Sequence, residues 1–291
     1  MTLDRRLHAY RDDVADVRLM DRVTAARYVE GTPRRVVAAT APLKRIPRAD
    51  ASLESEVLRG EAFTVFDDAG EGWAWGQLAT DGYVGYVPAD ALSAAAPEPT
   101  HRIAALRTYV YPGPDMKLPA LDLLSFGSRV SLGRDAETRG TPYRELAGGE
   151  GWIVARTAEV VGAPPANDFV TIAERFAGAA YLWGGRTSIG LDCSALVQLS
   201  LAAAGIRSPR DTDLQEAALG HLVAGGVTAP LRRGDLVFWL GHHAGHVGIM
   251  IDGEYLIHAN GHHMAVTIEP LAEVVDRIAA KTSQPTSVKR L

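Results

Sequence analysis

Cys193 is the only cysteine in 291 residues. It can form no intramolecular disulfide, and alone it cannot build a multi-thiolate zinc site. It closes a glycine-rich run, Tyr181-Leu-Trp-Gly-Gly-Arg-Thr-Ser-Ile-Gly-Leu-Asp-Cys193. It also opens a segment with helical apolar spacing (Ala195, Leu196, Leu199, Ala203), which Gly205 stops. A thiol in the first turn of a helix sits where the macrodipole and unpaired backbone N–H groups favour thiolate. The competing reading is a buried, inert thiol. Asp192, just before it, reads as the helix cap.

A cysteine nucleophile needs a base within reach, and the base needs a group that orients it. Of nine histidines, six fall late: His242, His243, His246, His258, His262 and His263. On an extended strand His246 and Gly248 share a face with Met250. A three-residue loop over Ile251–Gly253 would pair Met250 with Glu254 and set His258 directly opposite His246. In that register His246 faces Cys193 and His258 holds its second ring nitrogen. Glycine at 245 and 248 leaves room for a substrate. His242, His243, His262 and His263 read as surface loop residues. A metal site of His242, His243 and His246 is the alternative, but it leaves Cys193 unexplained and has no glutamate at helical spacing to serve as a base. No metal and no cofactor is expected.

The elements that must position these groups follow from periodicity. Asp168–Ala180 reads as an amphipathic helix with Phe169, Ile172, Phe176 and Ala180 on one face and Asp168 as cap. Strands are expected over Gly234–Leu240, Gly245–Ile251 and Glu254–Ala259. Upstream, residues 1–40 are charged and partly helical in pattern, an N-terminal extension. From about 41 to 160 short strands alternate with turn signals such as Asp81-Gly82 and Gly148–Gly151. A weak repeat runs through them. Trp75-Gly-Gln-Leu and Gly85-Tyr-Val-Pro recur as Tyr143-Arg-Glu-Leu and Gly151-Trp-Ile-Val, at offsets of 68 and 66 residues. Two copies are too few for a solenoid and fit two small barrels in tandem. Ala94–Thr100 and Gly162–Asn167 read as linkers. The expected division is an extension over 1–40, barrels over 41–95 and 100–162, and an α+β domain over 167–291.

Composition narrows the function class. A net charge of −5, with 47% hydrophobic and 22% charged residues, gives a globular chain with no electrostatic reason to bind nucleic acid. No apolar run approaches the roughly 18 residues of a membrane span. The charged N-terminus lacks the apolar stretch of a secretory signal. A cytoplasmic protein, monomeric and without nucleic-acid or membrane partners, is expected, with export through a signal since removed as the alternative.

The ordered motifs Tyr181-x-Trp-Gly-Gly, Leu191-Asp-Cys-Ser-Ala-Leu-Val, Gly234-Asp-Leu-Val-Phe-Trp, Gly245-His-Val-Gly-Ile and Ile257-His-Ala resemble the NlpC/P60 cysteine peptidases. The resemblance covers about 168–270. With two SH3-like barrels in front, it extends to the subgroup acting as γ-D-glutamyl-L-diamino-acid endopeptidases. It implies a papain-like catalytic fold, with Cys193 as nucleophile, His246 as base, His258 as orienter and Tyr181 assisting the oxyanion. The implied partner is a murein-derived peptide with a free N-terminal amine. Asp211 is then the carboxylate meeting that amine, with Thr212, Ser194 and Trp183 in the same pocket. Glu61 and either Tyr83 or Tyr86 of the first barrel match the residues with which the subgroup closes its cleft. Two rivals remain: broader amidase or acyl-transfer chemistry at the same site, and a non-catalytic cell-wall-binding protein.

Overall fold

The computed structural model describes residues 3–241 and 245–291. The chain divides into two compact units, 1–163 and 164–291. Each is built around its own sheets.

In the first unit a seven-stranded sheet runs from Thr32–Val36 to Leu92–Ser93, with Leu53–Leu58 at its other edge. Its inward residues (Val36, Leu43, Val57, Phe63, Leu78, Tyr83, Val87) form one buried cluster. A second set of short antiparallel sheets, between His101 and Val160, encloses Ile103, Val110, Leu124, Val130, Leu146 and Ile153. The sequence repeat is also a structural one. Trp73–Leu78 corresponds to Thr141–Leu146, and each places its last leucine in a core. Val84–Pro88 and Trp152–Val154 are each followed by a single 3₁₀ turn, at Ala89–Ala91 and Ala155–Thr157.

The helical expectation for residues 1–40 is not met. Val14–Asp16 pairs in parallel with Arg27–Val29, and among the described residues helical geometry there is limited to one 3₁₀ turn, Val17–Leu19. Val14 packs on Phe66 and Trp75, so a β-branched residue finding an aromatic surface overrides weak local spacing. Thr32–Val36, read as extension, pairs with Ala62–Gly70 and belongs to the barrel sheet.

In the second unit helix α1 spans Phe169–Glu174 and is capped by Asp168, whose carboxylate accepts from the Val170 N–H. It is shorter than the expected Asp168–Ala180. Residues 175–177 tighten into i→i−3 bonds, Gly178 takes a left-handed φ of 81°, and Ala180–Tyr181 is already a strand. Helix α2 spans Cys193–Ala203, and α3 spans Thr212–Ala218. An eight-stranded sheet follows. Its centre is the antiparallel run Ala265–Pro270, Tyr255–Asn260, Gly245–Met250 and Leu236–Leu240. Helix α2 lies against the two middle strands. Its Leu196, Val197, Leu199 and Leu201 are buried, each worth about 1.5–3 kcal/mol of apolar transfer. On the sheet, Val237, Trp239, Met250 and Leu256 form a cluster with Leu271 and Val274 of α4, Leu271–Ala279. Gly205, at a φ of 74°, ends the α2 segment as its position suggested.

The hairpin that carries the histidines differs from the expected register. Ile249 pairs with Ile257 and Met250 with Leu256, and the Ile251 N–H bonds to the Tyr255 carbonyl. The three-residue loop is therefore Asp252–Glu254, one residue later than expected. The Asp252 carboxylate accepts from the N–H groups of Glu254 and Tyr255, an Asx-type turn that competes with the glycine-bulge turn. The pairing moves by two residues, so His246 and His258 keep a common face but meet on a diagonal.

Candidate active site

The thiol is held by a densely satisfied helix start. Asp192 caps α2, its Oδ1 accepting from the Ala195 N–H at 2.9 Å, while its Oδ2 accepts from the Gly184 N–H at 3.0 Å. The Arg210 guanidinium, only 1% exposed, grips the same carboxylate with two bonds of 2.9 and 2.7 Å. Arg210 also donates to Ser194 Oγ at 2.7 Å. Cys193 is thus the first residue of a helix whose cap is a buried ion pair.

Around Sγ the neighbours are Thr212 Oγ1, 3.9 Å away, and the Val247 backbone, which hydrogen-bonds the sulfur. Among the described residues Sγ makes no bond to His246, which immediately precedes Val247 on its strand. Burial pushes the thiol up to about 11, and the Asp192 charge adds to this. Val247, Thr212 and Arg210 oppose the rise. Burial likewise pushes His246 down to about 3, helped by His258 and Arg277. Both shifts favour the uncharged forms, a protonated thiol and a neutral imidazole. Tyr181 is held above the usual phenol range by burial first, then by the proximity of Cys193 and Asp192, and so stays a hydrogen-bond donor.

Behind His246 lies a chain of groups, only part of which the sequence suggested. His246 Nε2 and His258 Nδ1 are 2.8 Å apart, and His258 Nε2 reaches Glu269 Oε1 at 2.8 Å. His258 is 1% exposed and Glu269 8%. Thr267 Oγ1 donates to the same carboxylate at 2.9 Å, and Arg277 clasps it with bonds of 2.6 and 3.0 Å. Burial alone would raise the Glu269 carboxyl, but Arg277, His258, Thr267 and His263 hold it well below the usual carboxylate range. Sequence reading missed Glu269 and Arg277. The available signal was Ala265-Val-Thr-Ile-Glu269, a strand whose isoleucine turns outward while its glutamate turns inward, the reverse of the ordinary alternation.

Other expected residues are distributed unevenly. Trp183 is 57% exposed and, with Tyr181, His246 and His258, lines a cavity of about 340 Å³. Asp211 is the cap residue of α3, and Thr212, its first residue, touches the thiol. Ser194 is buried, and its hydroxyl is committed to Asp192 and Arg210, which corrects its assignment to a substrate pocket. Glu61 is 2% exposed and accepts from the Leu58 N–H and the Thr80 hydroxyl inside the first barrel. Tyr83 belongs to that barrel's core, while Tyr86 takes a hydrogen bond from Arg11. Neither Glu61 nor Tyr83 has the exposure a cleft residue needs, because the barrel's own turn and core consume them. The space left by glycine is also used internally. A Cβ on Gly245 would fall 2.9 Å from Thr212 Cβ, and one on Gly248 would fall 2.6 Å from Leu256 Cδ1. His263 is exposed in its turn, as expected, and its Nε2 also reaches Glu269 at 3.1 Å. His242 and His243, with the metal alternative built on them, lie outside the described residues.

A capped-helix thiol, a neutral imidazole and an orienting second imidazole on one sheet can do acyl-transfer chemistry through sulfur. Residues 178–280 match the NlpC/P60 family, and residues 43–92 match the bacterial dipeptidyl-peptidase Sh3 domain. The chain is a cysteine peptidase of the NlpC/P60 type with a bacterial SH3 domain in front of its α+β catalytic domain. A gamma-D-glutamyl-L-lysine dipeptidyl-peptidase of Bacillus cereus is 27% identical over 248 residues, 75% of this chain and 71% of that protein. The bifunctional muramidase/DL-endopeptidase CwlT of Bacillus subtilis is 39% identical over 91 residues, 30% of this chain and 26% of that protein. The crystal structure of an NlpC/P60 family protein from Bacillus cereus ATCC 10987 shares the fold, with a TM-score of 0.69 at 20% identity over 89% of this chain and 99% of that one.

Proposed function

We propose that this peptidase hydrolyses the amide between γ-D-glutamate and a diamino acid in murein peptides that begin with a free L-alanine, releasing the dipeptide. The observation that carries the reading is the run from Glu269 through His258 to His246, the residue before Val247, whose backbone meets a capped-helix thiol. An ionised Glu269 can only accept, so His258 carries its proton on Nε2 and offers a lone pair at Nδ1. His246 then donates from Nε2, and its Nδ1 is left as the base.

In the reaction Nδ1 takes the Sγ proton as sulfur attacks the γ-carbonyl. The developing oxyanion is met by the Tyr181 hydroxyl and the Cys193 N–H. The resulting imidazolium gives its proton to the departing amine, leaving a thioester. Water, deprotonated by the same nitrogen, cleaves the thioester and restores the thiol. Asp211 supplies the carboxylate for the substrate ammonium, by the family resemblance and by its place next to Thr212, which borders Sγ.

The test is release of L-Ala-γ-D-Glu from L-Ala-γ-D-Glu-L-Lys, followed by chromatography, with Cys193→Ala as the inactive control. The N-acetylated tripeptide should be cleaved at least about 10²-fold more slowly, because the half-buried Asp211 carboxylate then loses its charged partner. Equal cleavage of the blocked and free peptides would refute amine recognition and favour broader amidase chemistry.

A further inference from the structure

The cavity beside the histidines, about 340 Å³, is within the size range of small-molecule sites. Its wall includes Trp183, Trp239, His246, Arg277, Lys281 and Ser283. Two features set its chemistry. It has two cationic side chains and, among the described residues that line it, no carboxylate. Arg277 is partly neutralised by Glu269 behind it, whereas Lys281 is exposed and makes no ion pair among the described residues. In addition, the Trp239 Nε1–H and the Ser283 Oγ are buried and have no hydrogen-bond partner in the protein. Buried donors are nearly always paired, so two orphans on the wall of one cavity indicate a missing acceptor.

Position indicates which half of a substrate would supply it. The nitrogen that protonates the departing amine must touch the leaving half, and His246 forms one wall of the cavity. Asp211, assigned to the amine of the acyl half, is not on that wall. We infer that the cavity binds the leaving half of the substrate and selects a leaving amino acid that carries a free carboxylate. This rests on the peptidase reading given above. The carboxylate accepts from the Trp239 indole and the Ser283 hydroxyl and is neutralised by Lys281. Short peptides ending at or near the scissile bond are therefore favoured over those whose carboxyl is blocked by an amide.

The experiment compares L-Ala-γ-D-Glu-L-Lys with its C-terminal carboxamide, using the full chain. Wild type should favour the carboxylate by about tenfold in kcat/KM, the size of one charge-assisted contact. Lys281→Glu should bring that ratio to about one or below, and Lys281→Gln should give an intermediate ratio. A wild-type ratio near one, or a preference that survives Lys281→Glu, overturns the subsite and leaves the peptidase assignment standing. Cleavage of neither peptide removes the substrate assignment itself, and the subsite with it.

Discussion

Replacing Glu269 with glutamine tests the polarity of the histidine relay with almost no change of shape. The wild-type carboxylate takes a bond from His258 at 2.8 Å while Arg277 holds both of its oxygens. Glutamine has one oxygen. The Arg277 fork cannot approach an NH₂ group, so the oxygen goes to the guanidinium and the amide nitrogen turns to His258. That nitrogen donates, which forces His258 to protonate Nδ1. His246 must then accept at Nε2 and carry its proton on Nδ1, where the base should be. Loss of charge alone is a smaller effect. Taking about 8 Å across one ring and an effective dielectric of about 20 gives about 2 kcal/mol between carboxylate and imidazolium, before Arg277 offsets part of it. Charge therefore accounts for about tenfold in kcat, whereas the wrong tautomer can cost up to about 10⁴. We expect Glu269→Gln to lower kcat by at least about 10² with KM within about threefold, since Glu269 acts through His258 and does not line the cavity. Steady-state kinetics measure the split, and ¹⁵N spectra of the two imidazoles report the exchanged protonation sites. A kcat within threefold of wild type, or unchanged ring-nitrogen signals, would refute the relay.

Two further outcomes follow from the buried charges. Arg210→Met leaves the Asp192 carboxylate buried beside the thiol without its guanidinium, and should cost about 3–5 kcal/mol in denaturant unfolding. Adding Asp192→Asn should recover part of that loss, and no recovery would show that Arg210 stabilises through packing instead. The depressed histidines also set a pH dependence. His246 and His258 have folded values below their unfolded value of about 6.5, so below that pH the unfolded chain binds protons that the folded one refuses. Stability is fully present above about pH 6.5 and falls as pH drops toward the folded values, by up to about 2 kcal/mol at pH 5 from His246, with His258 acting in the same direction. Urea unfolding at pH 7.5 and pH 5 checks this, and equal stabilities would contradict the neutral pair.

The place of the thiol at a helix start was legible because its signals are local: a capping aspartate one residue before it and apolar spacing behind it. The meeting of His246 and His258 was legible through the period-2 alternation of a strand, which fixes a face whatever the loop. The register was not, because Asp252 chooses the turn through its own side-chain bonds, and apolar pattern carries no information about that. Glu269 and Arg277 escaped for a related reason. An isolated acid and base eight residues apart look like surface charges until a strand and a helix bring them together. Glu61 and Tyr83 were drawn to a cleft by resemblance of position alone, whereas their burial follows from a turn N–H and a barrel core that the motif does not encode.

The two faces of one strand explain how a buried thiol and a half-buried imidazole can be poised without forming an ion pair at rest. Adjacent residues of a strand point to opposite sides, so His246 projects with Trp239 toward the α4 side, while at Val247 it is the main chain that meets the sulfur. Helix α2 therefore fixes the thiol against backbone, and the relay fixes the imidazole against side chains on another surface. Each is immobilised by contacts that do not involve the other. Gly245, at the start of that strand, lets Thr212 close to within van der Waals contact and join the two environments. Such a site keeps both groups neutral through burial, and the proton moves only when a carbonyl arrives to take up the charge created on sulfur. The cost of charging a dry site is then met within the transition state, where the Tyr181 hydroxyl and the cavity beside His246 become relevant, and not in the resting enzyme.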